Sequence, residues 1–312
     1  IGFDEGTIMI KLGQENPVVS MDNLGKIIWA KNHEIQGINL RKSLKSSKDH
    51  IYEDGEIIPV SIDDLGSIEF YPNNIMHNKN GQLVSICGDG EYSIYTALQL
   101  KHKSFGNCLD FVWGNKAHVY GIRETKTKIK IYVKFKDYKT IKLNNNSSDM
   151  IFGGYLLGIR CQSKDKNIDG YIDFYHWKYG KLIRRIEVYP NKVLWSDNGN
   201  YVALICNDNY YILKFNEDIV NKILQSNEYD ETEYDYEQGI ETSFTLEKDV
   251  NESILSANYS GSGEILIYTT NNCRINYYVG GQIITLAVLN NNDFYLLGYL
   301  QSNDCVYLID KQ

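Results

Sequence analysis

Two stretches of this chain run through the same order of residue types. His77-Asn-Lys-Asn-Gly81 leads into the apolar run Leu83 to Cys87, then Asp89-Gly90-Glu91, then Tyr92-Ser-Ile-Tyr95. Trp195-Ser-Asp-Asn-Gly199 leads into Tyr201 to Cys206, then Asn207-Asp208-Asn209, then Tyr210-Tyr-Ile-Leu213. The two glycines lie 118 residues apart, or three units of about 39. Similar turn-plus-strand units begin at Asp22-Asn-Leu-Gly25 and at Ser260-Gly-Ser-Gly263. A period near 40 residues with about four short strands per unit is the pattern of a β-propeller blade, and one blade cannot bury its apolar face alone. The repeat therefore demands a ring or stack of neighbouring sheets.

The units read as strands throughout. Along Lys128-Ile-Lys-Ile-Tyr-Val-Lys-Phe-Lys136, the apolar Ile129, Ile131, Val133 and Phe135 alternate with Lys128, Lys130, Lys134 and Lys136. That period of two puts one face inward and leaves a lysine face outside. One helix is expected, over Glu217 to Gln225. Seven units can be placed, at roughly 18–66, 67–106, 107–143, 149–188, 190–238, 239–289 and 290–312. The expected fold is all-β, a seven-bladed, WD40-like propeller with degenerate repeats. Its last unit, too short for a full blade, would be completed by a strand from the N-terminal end, which hides two open edges. No Trp-Asp dipeptide ends a blade, so this reading rests on pattern, and a pair of β-sandwiches is the structural rival. The chain opens on Ile1 and Gly2 with no initiator Met or signal-peptide pattern, and reads as a piece of a longer protein.

Composition agrees and excludes several classes. The 25 Tyr and 25 Gly against 4 Pro suit pleated strands and tight turns. A hydrophobic share of 43% is too high for a disordered chain. No apolar run approaches the ~20 residues of a membrane helix, so no transmembrane segment is expected. A net charge of -8 argues against a nucleic-acid surface over the whole molecule. Cys87, Cys108, Cys161, Cys206, Cys273 and Cys305 are widely spaced, form no Cys-x-x-Cys pair, and read as reduced thiols of a cytosolic protein.

Catalytic patterns are missing. The six histidines show no metal spacing, Gly261-Ser-Gly263 and Gly88-Asp-Gly90 lack the third glycine of a dinucleotide loop, and neither a Gly-x-Ser-x-Gly elbow nor a Walker motif occurs. No cofactor, metal or catalytic residue is therefore assigned. The enzymatic alternative is a propeller hydrolase or lyase whose carboxylates converge on the central channel, for which Asp89, Asp110, Asp173 and Asp197 are the candidates. Two charged segments are the candidate interaction surfaces. Arg123 to Lys142 holds eight basic residues against Glu124 and Asp137, with Lys128, Lys130, Lys134 and Lys136 at its centre. It reads as a lysine-guarded outer strand or as a patch facing an acidic partner or anionic headgroups. The other segment contains Glu228, Asp230, Glu231, Glu233, Asp235 and Glu237, and with Glu241 it carries seven acids and no base, leaving the rest of the chain near neutral. Such a block repels itself, so residues 226–240 are expected to form a mobile loop or a docking segment.

Several long strings resemble one family. They are Phe3-Asp-Glu-Gly-Thr-Ile-Met-Ile-Lys-Leu-Gly13, Ser20 to Gln36, Gly88-Asp-Gly-Glu-Tyr-Ser-Ile-Tyr-Thr-Ala97, Lys103-Ser-Phe-Gly106, Leu182-Ile-Arg-Arg-Ile-Glu187, Arg274-Ile-Asn-Tyr-Tyr-Val-Gly-Gly281 and Tyr295-Leu-Leu-Gly-Tyr299. Together they resemble the beta-prime subunits of coatomer, WD-repeat components of the COPI vesicle coat. The resemblance implies that residues 1–17 are the closing strand and exit of a preceding propeller, and that 18–312 form the second one. It implies a non-catalytic scaffold, cytoplasmic and peripheral on Golgi membranes and COPI vesicles, serving Golgi-to-ER and intra-Golgi transport. The implied partners are other coatomer subunits, the alpha subunit in particular, within a coat recruited by an Arf-type GTPase. The family's di-lysine cargo pocket lies on the first propeller, so no cargo residue is carried over. The chain departs from the family by longer loops at 144–148 and 163–170 and by extra Tyr in the acidic stretch.

Overall fold

A computed structural model describes residues 2–3, 6–7, 16–46, 50, 52–143, 146–163, 170–225, 234–260 and 264–310. Six four-stranded antiparallel sheets follow one another, each with its strands in sequence order. Blade 1 holds Val19–Met21, Lys26–Lys31, Glu34–Asn39 and Asp63–Ser67. Blade 2 holds Asn74–His77, Leu83–Gly88, Glu91–Thr96 and His102–Asn107. Blade 3 comprises Asp110–Trp113, Val119–Thr125, Lys128–Val133 and Lys136–Lys142. Ser148–Phe152, Leu157–Gln162, Gly170–Tyr175 and Leu182–Ile186 make blade 4. Blade 5 takes Lys192–Trp195, Tyr201–Ile205, Tyr210–Phe215 and, after an insertion, Phe244–Val250. Blade 6 is Ile254–Tyr259, Leu266–Thr270, Arg274–Val279 and Gln282–Val288.

The seven-bladed expectation is corrected here: the described residues form six four-stranded blades. After blade 6 comes a two-stranded hairpin, Phe294–Leu300 with Cys305–Asp310. Among the described residues no N-terminal strand joins it, and Gly2–Phe3 pairs with Gly6–Thr7. A hairpin and a blade share the same turn-plus-strand pattern, so the local sequence after blade 6 does not tell two strands from four. The hairpin's first strand nevertheless runs between the first strands of blades 6 and 1, so the ring still closes.

The sheets meet through their first strands, and the core is correspondingly divided among the seams. Ile28, Ile35, Val84 and Ile86 fill the seam of blades 1 and 2. Ile129, Ile131, Leu157 and Ile159 fill that of blades 3 and 4. The hairpin contributes Leu297 and Leu300 to the blade 1 side and Leu296 to the blade 6 side. Each such side chain contributes about 1.5–3 kcal/mol by leaving water.

Local chemistry sets the turns. Asp89 and Gly90 take φ of 52° and 81°, as a tight two-residue hairpin requires. Gly153 lies where the inner strands of blades 3 and 4 nearly touch: a Cβ there would fall 2.1 Å from the Trp113 carbonyl oxygen. A short helix, α1, covers Leu40–Ser46 in the blade 1 insertion, and the helix expected at Glu217–Gln225 is present as α2. Val220, Ile223 and Leu224 of α2 are buried in the seam of blades 4 and 5.

Candidate protein-interaction surfaces

The lysine-rich hairpin forms the outer half of blade 3. Ile129 and Ile131 are fully buried, which turns Lys128 and Lys130 to the opposite face of the same strand. There both meet Glu124 of the preceding strand, at 2.6 and 2.7 Å. The two ammonium groups, Lys128 first, hold the Glu124 carboxyl below the ordinary carboxylate range. That hydrogen bond in turn raises the Lys130 pKa. These two lysines are therefore locally neutralised. Lys134 and Lys136 are exposed, as are Lys139 and Lys142 further along, while Asp137 leans 3.9 Å towards Lys130. Lys134 and Phe135 form the hairpin turn at φ of 51° and 65°, a conformation that favours Gly or Asn. The next aromatic, Tyr138, donates its hydroxyl to the Lys178 carbonyl of blade 4. Phe135, expected on the inward apolar face, is instead exposed in this turn, because the strand ends at Val133 and a left-handed turn leaves no mark in a period of two; Tyr138 is the residue that sequence reasoning missed.

Of the acidic segment, Glu228, Asp230, Glu231 and Glu233 lie outside the described residues. Asp235 and Glu237 are on the surface, in a short turn of the blade 5 insertion. Asp235 Oδ1 accepts the backbone N–H of Glu237 at 2.6 Å and of Gln238 at 3.1 Å, which lowers its pKa; Arg184 adds a smaller pull in the same direction. Residues 234–240 are not free of the body. The Tyr234 hydroxyl donates to the Leu182 carbonyl, Arg185 N–H donates to Gln238, and Ile240 N–H donates to Ile183. Gly239 forms an antiparallel bridge with Arg184. The insertion thus covers the outer strand of blade 4, and this half of the expected mobile loop is anchored.

The four candidate channel carboxylates are scattered and individually occupied. Asp89 accepts Tyr71 N–H in a blade 2 turn. Asp110 is held by Arg123 at 2.6 Å, and Arg123 also donates to the Ser148 carbonyl of the next blade. Asp173 receives two bonds from Arg185 at 2.8 and 2.9 Å; its burial outweighs the guanidinium and pushes its pKa up. Asp197 pairs with Lys79 at 2.9 Å, a contact from blade 5 to blade 2. Among the described residues no three His, Cys, Asp or Glu side chains are grouped to hold a metal. No described helix is long and apolar enough to cross a membrane.

A ring of four-stranded meanders whose outer strands carry segregated charge defines a β-propeller of the repeat-built class. Two solved structures share that fold at 9–10% identity, each with a TM-score of 0.60. One is a chain of the mitotic checkpoint complex, covering 94% of this chain and 86% of its own. The other is the β-propeller domain of Cps50 (Swd1) from Myceliophteria thermophila, at 88% and 86%. At that identity they speak for the fold alone.

The chain belongs to the coatomer second-propeller family: the model of the COPA/B second beta-propeller matches residues 32–310. It is 41% identical over 312 residues to the coatomer subunit beta' of Rattus norvegicus, and 44% identical over 313 residues to coatomer subunit beta'-1 of Arabidopsis thaliana. Each match takes in all of this chain and 32% of the relative, so the chain spans about a third of the length of those proteins.

Proposed function

We propose that this propeller is a rigid scaffold and protein-docking disc of a COPI vesicle coat, in a subunit of the coatomer beta-prime type. The observation that carries the reading is the end-to-end relation to coatomer beta' subunits at 41% identity. The geometry supports it: packing lies in stiff seams between blades, and charge lies on outer strands and loops that several partners can reach at once. In this reading residues 1–17 leave a preceding propeller and 18–312 form the second. The subunit works in the cytoplasm on Golgi membranes, in transport within the Golgi and back to the endoplasmic reticulum. Its neighbours are the other coat subunits, the alpha subunit among them, in a coat recruited by an Arf-type GTPase. The role is non-catalytic, in keeping with four carboxylates that are each separately paired.

The test is retention of purified coat subunits on the immobilised chain, with and without residues 226–240. Retention above that on an unrelated propeller is expected. Retention no better than the control would overturn the scaffold reading. Loss only on deleting 226–240 would assign the contact to the acidic insertion.

A further inference from the structure

The six outer strands differ sharply in charge. Asp63–Ser67 and Phe244–Val250 are net acidic, and Gln282–Val288 has no charge. His102–Asn107 carries one lysine. The basic strands are neighbours: Leu182–Ile186 of blade 4 with Arg184 and Arg185, and Lys136–Lys142 of blade 3 with Lys136, Lys139 and Lys142. Blade 4's basic edge is covered. Residues 234–240 lie along it with two backbone hydrogen bonds, at 2.9 and 2.6 Å, and bring Asp235 and Glu237 with them. Gly239 makes this approach close, since a Cβ there would fall 2.2 Å from the Ile183 carbonyl oxygen. Blade 3's basic edge has no such cover: among the described residues its outer strand pairs only with Lys128–Val133.

We propose that the open edge of Lys136–Lys142 takes an extended acidic segment of a partner protein as a fifth strand, a fuller form of the single bridge by which the blade 4 edge holds Gly239 of this chain. A lysine-guarded edge repels neutral and basic strands, because adding one strips water from the ammonium groups with nothing in return. An acidic strand reverses that balance through cross-strand pairs of opposite charge. Among the described residues no ion pair holds Lys134, Lys136 or Lys142, whereas Lys128 and Lys130 are matched by Glu124 and the Lys139 ammonium donates to the Tyr179 carbonyl. Lys139 lies against Gly180 on one face of the strand, whereas Lys142 pairs in register with Lys128 on the other. Basic groups on both faces make a ridge suited to a strand, where a lipid surface asks for a flat, one-sided patch. Phe135 and Tyr138, 37% and 49% exposed, stand beside it as aromatic anchors. The left-handed turn that Lys134 and Phe135 adopt costs stability, and a contact made by Phe135 gives that cost a purpose.

The inference rests on the docking-module reading but fails separately, because coat-subunit retention does not depend on this peptide assay. The probe is a fluorescein-labelled nonapeptide alternating Glu with Val, titrated against the whole chain by fluorescence anisotropy. Saturable binding is expected, together with slowed hydrogen exchange over residues 136–142. Lys134→Glu, Lys136→Glu and Lys142→Glu together should weaken it roughly tenfold, while Lys103→Glu on blade 2 leaves it unchanged. The same peptide with alternate amides N-methylated should not bind. Should the triple variant unfold, the single exposed changes Lys136→Glu and Lys142→Glu carry the test. No saturable binding, equal binding of the methylated peptide, or indifference to the lysine changes overturns the proposal. Lysine-dependent binding to phosphatidylserine-containing vesicles without peptide binding overturns it in favour of a lipid surface.

Discussion

His77 sits in the seam of blades 1 and 2 with no place for a second proton. Its backbone N–H donates to Ser20 Oγ at 3.0 Å, its Nδ1 lies 2.9 Å from the same hydroxyl, and its Nε2 is buried with no partner. Burial pushes the imidazole pKa down to about 4; Asp22 pulls it up without overcoming burial, and Lys26 adds to the lowering. A folded value below the unfolded one near 6.5 means that the unfolded chain takes up the proton first. The contribution of neutral His77 is complete above pH ~6.5 and is lost as pH falls towards 4, a span of about 2–3 kcal/mol. Urea midpoints at pH 7, 5.5 and 4 should fall more steeply for the native chain than for His77→Gln; parallel declines would place the acid sensitivity elsewhere. Arg160 is the second residue with a large expected effect. It is buried, grips Asp149 at 2.9 and 3.2 Å, donates to the Pro190 carbonyl of the next blade and stacks on Tyr189. Arg160→Ala leaves Asp149 with the Tyr189 hydroxyl as its remaining side-chain donor and should cost about 2–3 kcal/mol in denaturant unfolding. A loss under 1 kcal/mol would show that water replaces the guanidinium.

Individual strands, turns and the helix were largely written in local pattern. The alternation around Ile129 and Ile131, the Asp89-Gly90 turn and the apolar spacing of Val220, Ile223 and Leu224 each need only a few adjacent residues to be read. What escaped was pairing over distance. Nothing near Glu228 to Glu237 says that Gly239 will meet Arg184, and nothing in the segment Arg123 to Lys142 says which of its lysines Glu124 will occupy. The seventh unit was misjudged for the same reason, since a turn and a strand look alike in a hairpin and in a blade. The Lys134-Phe135 turn was hidden by its side chains, which fit the alternation while their backbone does not favour the bend. Phe135→Gly tests that strain directly. Relief of the left-handed φ should add about 1 kcal/mol to stability, partly offset by the packing that the half-exposed ring gives up. A melting temperature that falls by several degrees would mean that the ring's contact with Tyr120, at 6.4 Å between centroids, outweighs the strain.

The whole molecule is a ring held at its seams, and it closes where a two-stranded hairpin stands between the four-stranded sheets of blades 6 and 1. Leu300 is 1% exposed and packs with Ile27, Ile38 and Leu40 of blade 1, against the bare Cα of Gly25. Leu296, 3% exposed, packs with Ile267 and Ile275 of blade 6. Its backbone N–H also donates to Ser256 Oγ at 2.9 Å, a bond from hairpin to blade 6. Leu300→Ala and Leu296→Ala should each cost about 3 kcal/mol by leaving a cavity. Their combination distinguishes a closed ring from an appended hairpin. In a closed ring either change opens the same closure, so the second acts on a seam already loosened and the double variant costs less than the sum. The coupling should be visible as well in hydrogen exchange: Leu300→Ala speeds exchange in Leu266–Thr270 of blade 6, although Leu300 packs on blade 1. Strictly additive costs, with exchange changed only beside each substitution, would show that the hairpin joins two independent seams and that the ring does not close through it.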